Sequence, residues 1–148
     1  MTQNKLDISR ATEAVKATRF VEALSLLESN LAKDPNHIDS LYLAAVCSRY
    51  LKNYDDAKKY IESLLGQAPD MGRAYQELGH LNRDIGKGEN AITHYRQACE
   101  LNPALMSSWK ALYDYFRSNK NKPAADHAFI QMNTLQSMPS ILLYISQI

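Results

Sequence analysis

Proline recurs at positions 35, 69 and 103, one every 34 residues. A period of that length restricts a chain to stacked copies of one supersecondary unit, because each copy can bury its apolar face only against a neighbour. A second row keeps the same interval: Ala23, Ala57, Ala91 and Ala125. Each of the first three alanines stands twelve residues before one of those prolines. Leu27, Ile61, Tyr95 and Phe129 form a third row, four residues after each alanine. That spacing puts them on the alanine's own helix face, where large apolar side chains are expected to pack inward.

A second helix precedes each alanine. Leu41, Ala44, Ala45 and Ser48 correspond to Tyr75, Leu78, Gly79 and Asn82, and again to Trp109, Leu112, Tyr113 and Phe116. Their separations of three and four residues are those of a helix face. Two antiparallel helices approach closely only where side chains are small, and the repeated alanine facing Ala45 or Gly79 meets that need. Gly86 suits a left-handed cap between the helices of the third copy, and Asn102-Pro103 pairs a capping side chain with a residue tolerated in a first helical turn. The expectation is an all-α chain of helix-turn-helix copies over 4–37, 38–71, 72–105 and 106–139, forming one domain over 1–148.

The third copy carries a resemblance. Its segment AYQELGHLNRDIGKGENAITHYRQACELNP is similar to the tetratricopeptide consensus, with aromatic, Leu-Gly, Ala, aromatic, Ala and Pro at the usual offsets. The resemblance extends over nearly the whole chain and implies a right-handed solenoid of about four repeats. Asp7 and Arg10 in the first copy depart from the pattern, as do Tyr113 and Ser137 in the fourth; terminal repeats are often atypical because one face meets water. The last nine residues, Ser140 to Ile148, align with the start of a fifth first helix and are apolar. Such an end lacks the polar capping face a solenoid needs. We therefore expect a fragment of a longer protein, or self-association through this C-terminal helix. The four repeats followed by MPSILLYISQI also resemble the N-terminal region of bacterial proteins that carry a sulfotransferase domain downstream, which would make the chain a scaffold region of a larger enzyme.

In the family the first helix of each pair lines a concave groove that receives an extended peptide or a partner helix. The resemblance places Asp39, Tyr42, Val46, Arg49 and Tyr50 there in the second repeat, Arg73, Gln76, His80, Arg83 and Asp84 in the third, and Ser107, Lys110, Asp114 and Arg117 in the fourth. Arg49, Arg83 and Arg117 share one repeat position and suggest a ladder for carboxylates, which arginine holds through a planar fork of donors. The competing reading is that they lie across apolar helix surface or pair with nearby acids. Tyr42 and Tyr50 are either aromatic anchors or packing between helices. Arg73 with Glu77 and Lys110 with Asp114 are i,i+4 pairs that support their helices. The family's clamp for chaperone tails would need lysine, asparagine and arginine at Ile8, Thr12, Leu43, Arg73 and Glu77. Only Arg73 has that chemistry, so the resemblance does not extend to the clamp.

Composition argues against nucleic acid as a partner. Seventeen basic against sixteen acidic residues give a formal charge of +1, far from the excess that phosphate backbones demand. Cys47 and Cys99 have no zinc or redox spacing, which fits a reducing, cytoplasmic setting. The amino terminus has no secretory pattern, and no apolar run is long enough for a membrane span. None of His37, His80, His94 and His127 falls in a metal or catalytic motif, and GKGEN at 86–90 lacks the spacing of a phosphate loop. Cys47 and His80 fall on neighbouring first helices, yet a buried core thiol is the default for Cys47. Trp109 and the methionines 106, 132 and 138 read as core. No enzyme activity, metal or cofactor is expected of this chain.

Overall fold

The computed structural model describes residues 3–138, and their side chains from Asp7 onward. Among the described residues there are eight helices and no strand: α1 (Gln3–Lys16), α2 (Phe20–Lys33), α3 (Ile38–Tyr50), α4 (Tyr54–Gln67), α5 (Gly72–Asp84), α6 (Gly88–Leu101), α7 (Met106–Ser118) and α8 (Lys122–Ser137). They pair as the 34-residue period requires, α1 with α2, α3 with α4, α5 with α6 and α7 with α8. The expected fifth helix over 140–148 lies outside the described residues.

The chain divides into two compact units, Met1–Pro69 and Asp70–Ile148. The division falls beside the junction expected between the second and third repeats. In the first unit α2 packs on α3, and Ala11, Ala14, Ala23, Leu27, Ala44 and Cys47 form the core, none of them measurably exposed. In the second unit α6 packs on α7, around Ala91, Tyr95, Cys99, Leu112 and Ala128.

The small contacts are where the sequence requires them. Ala23 and Ala57 are fully buried and Ala91 is 2% exposed. A Cβ built on Gly79 would sit 2.6 Å from a ring carbon of Tyr95, a separation real side chains do not reach, so α5 and α6 interlock only because position 79 is bare. In the fourth repeat the same two positions hold Tyr113 and Phe129, whose ring centroids lie 5.8 Å apart. Two rings cannot nest as Gly79 and Tyr95 do. Phe129, expected to face inward, is 47% exposed.

Each turn inside a repeat uses one device. Thr18, Lys52, Gly86 and Lys120 have φ of 58°, 63°, 84° and 56°, again 34 residues apart. In the third repeat Gly86 N–H donates to the Arg83 carbonyl at 3.1 Å and Lys87 N–H to the Asn82 carbonyl at 2.8 Å. This pair of bonds closes the last turn of α5, and the other three turns repeat it. Between repeats, Asp34, Ala68 and Asn102 cap α2, α4 and α6. Each precedes a proline, which disfavours helical backbone in the residue before it. Asn102 Oδ1 also accepts from Ala104 N–H at 3.0 Å.

One buried polar contact was not foreseen. Asn30 occupies a core position of α2 at 0% exposure, and its Nδ2 donates to Ser40 Oγ at 2.6 Å. Ser40 in turn meets His37 Nδ1, which also accepts from the Ser40 N–H and caps α3. The end of α2 is thereby fastened to the start of α3.

Candidate functional site

The first helices of each unit carry the positions expected to meet a partner. In the first unit Tyr42 of α3 is half-buried. Arg49 is 6% exposed, with its guanidinium carbon 4.5 Å from the centre of the Tyr50 ring. Tyr50 is 54% exposed and stacks on Phe20, with centroids 4.5 Å apart and planes within 3°. Within this unit Tyr50 presents aromatic surface, whereas Arg49 is withdrawn from it.

In the second unit α5 and α7 run side by side, fastened by Ser108 Oγ donating to Gln76 Oε1 at 2.8 Å. His80 is also engaged inside the fold, its Nδ1 sharing a 2.7 Å hydrogen bond with Tyr95 Oη. Arg73, Arg83, Lys110, Asp114 and Arg117 are exposed. Arg83 reaches Asp84 at 3.1 Å, and Lys110 reaches Asp114 at 2.9 Å. Exposed ion pairs of this kind are worth about 0.2–1 kcal/mol and exchange readily with a competing carboxylate. Arg117 lies 5.9 Å from the Tyr113 ring centre, a contact that holds its stem along the helix and leaves the fork at the surface.

Arg83 and Asp114 line one open cleft of about 300 Å³, together with Ile92 and Tyr95. Arg117 lines another of about 340 Å³, beside Tyr113, Lys120, Lys122 and Asp126. Arg83 and Arg117 thus border different clefts of the second unit. Among the described residues no group of three His, Cys, Asp or Glu is placed to hold a metal, and no helix is long and apolar enough to cross a membrane.

Burial, with Glu100 adding to it, pushes the Cys99 thiol up to about 12, so it is a neutral core thiol at ordinary pH. Burial also raises Tyr60, helped by Glu28 and Asp56, and Lys122 is raised by its hydrogen bond to Asp126. Cys47 is fully buried. Trp109, read from sequence as core, is only partly buried, and its indole N–H donates to the Pro103 carbonyl at 2.9 Å.

Comparison with known proteins agrees with this architecture. One tetratricopeptide-repeat family model matches residues 14–80 and another residues 72–105, together more than half of the chain. No curated protein matches in sequence. Among solved structures, MamA 41-end from Desulfovibrio magneticus RS-1 superimposes with a TM-score of 0.74 at 19% identity, over 90% of this chain and 76% of that one. A crystal structure of MamA gives 0.75 at 12% identity, over 90% and 78%. The first TPR of Spaghetti (RPAP3), bound to the HSP90 peptide SRMEEVD, gives 0.70 at 17% identity, over 80% and 94%.

Proposed function

Because the chain belongs to the tetratricopeptide repeat family, we propose that it is a non-catalytic protein-interaction module that receives an extended, acidic segment of a partner on its first helices. The observation that carries this reading is the row of exposed charges on α5 and α7, where Arg73, Arg83, Lys110 and Arg117 outnumber Asp84 and Asp114. An incoming carboxylate can replace Asp84 on Arg83 without leaving a buried charge, and guanidinium forks favour carboxylates in two hydrogen bonds. Arg73 and Lys110 extend the basic character along both helices, and Gln76 and His80 support the face from within.

The structural neighbour RPAP3 holds a peptide with two glutamates and a terminal aspartate, which supports acidic chemistry as a choice open to this fold. Ile8, Thr12, Leu43 and Glu77 lack the donors of the chaperone-tail clamp, so the segment proposed here engages different residues. The test is selection of displayed peptides on the full chain, followed by Arg83→Glu together with Arg117→Glu. We expect selected sequences rich in Asp and Glu whose affinity falls roughly 10- to 100-fold in the double variant, as for the loss of two charge-assisted contacts. Selected peptides that bind the double variant as tightly as the parent would refute the proposal.

A further inference from the structure

The second helices of the 70–148 unit border a cleft that none of the residues above explains. It has a volume of about 360 Å³ and lies between α6 and α8, over α7. Its floor is apolar, made by Leu112 and Phe116, 3% and 8% exposed, with Cys99 of α6 beside them. One side is aromatic: Trp109 and His127 meet edge to face, centroids 5.7 Å apart. The hydrogen bond from the Trp109 indole to the Pro103 carbonyl fixes that ring. A volume near the lower end for ligand pockets, with an apolar floor and an aromatic wall, suits one aromatic side chain.

The mouth adds a charge requirement. Arg96 of α6 is exposed, and its guanidinium carbon stands 5.1 Å from the centre of the Phe116 ring. That contact holds the cation at the edge of the apolar floor. Among the described residues Arg96 makes no ion pair. Glu100, one turn along α6, also lines the cleft and repels an acid from its own end, so the mouth is polarised along the helix.

We propose that this cleft is a second docking site, which takes one aromatic side chain of a partner polypeptide while Arg96 holds a carboxylate next to that side chain in the partner's sequence. The site is separate from the α5 and α7 face, because Cys99, Arg96 and His127 belong to second helices and the floor residues of α7 are not those that bear its surface charges. The neutral state of the Cys99 thiol keeps the floor free of charge.

Trp109 is the only tryptophan in the sequence, so its indole N–H resonance reports on this cleft directly. The full chain is titrated with acetyl-Asp-Phe-Gly-amide, and with the same peptide carrying Lys for Asp or Ala for Phe. The expected result is a saturable indole shift with the Asp-Phe peptide and none with Asp-Ala. Arg96→Glu, at an exposed position, weakens the Asp-Phe peptide roughly tenfold and makes the Lys-Phe peptide the better ligand. Arg83→Glu with Arg117→Glu leaves this titration unchanged, which separates its outcome from that of the α5 and α7 proposal. Absence of a saturable shift, an equal response to Asp-Ala, or an unchanged preference in Arg96→Glu would overturn the inference.

Discussion

At the residue scale, the packing of this chain turns on which positions are bare. Gly79 faces the Tyr95 ring with no room for a methyl group, whereas Gly66 has nothing within 4 Å of its would-be Cβ. Both lie inside helices, where Gly→Ala gains up to about 1 kcal/mol of helix propensity. Gly66→Ala should therefore raise stability by that amount. Gly79→Ala should lower it by up to about 2 kcal/mol net, since overpacking costs about 1–3 kcal/mol and offsets the propensity gain. Urea unfolding of the two variants checks the opposite signs. Cys99 gives a pH prediction. Its folded value of about 12 lies above the ordinary 9.0, so the unfolded thiol ionises first. The neutral thiol's contribution is complete below pH 9 and is lost as pH rises from 9 towards 12. Cys99→Ala should flatten that decline in urea midpoint. Some slope will persist, because Tyr60 is shifted in the same direction.

At the element scale, the helix pairs were legible because prolines, alanines and large apolar residues keep one period, and a period survives variation at any single site. The turns were legible only at Gly86. Thr18, Lys52 and Lys120 adopt the same left-handed backbone, but their side chains give no hint of it. The strain of about 1–2 kcal/mol in that region for a residue with a Cβ is borne by the closing hydrogen bonds. Lys120→Gly should remove the strain and, after the extra entropy of an unfolded glycine, stabilise the chain by about 0.5–1 kcal/mol. A thermal melt measures this, and a lowered midpoint would contradict the turn account. Phe129 departs from its expected burial for a physical reason. The exposure of a side chain depends on what packs over its helix, and the repeat pattern records only the helix face. Asn30 was missed because a polar residue on an apolar row is silent until Ser40 is found beside it.

At the scale of the molecule, two compact units each carry a closed core and a first-helix face. Nothing in the residue pattern distinguishes the charges on α5 and α7, which are mostly exposed, from Gln76 and His80, which turn inward. The pattern also conceals the cleft beneath Arg96, whose lining residues are spread over three helices and read separately as core or surface. The functional reading stands on the α5 and α7 face. Its most direct test is an amide shift map of the full chain with the tightest acidic peptide from the selection. The account predicts shifts concentrated on α5 and α7 that vanish with Arg83→Glu plus Arg117→Glu. Saturable binding that leaves both helices unperturbed would contradict it.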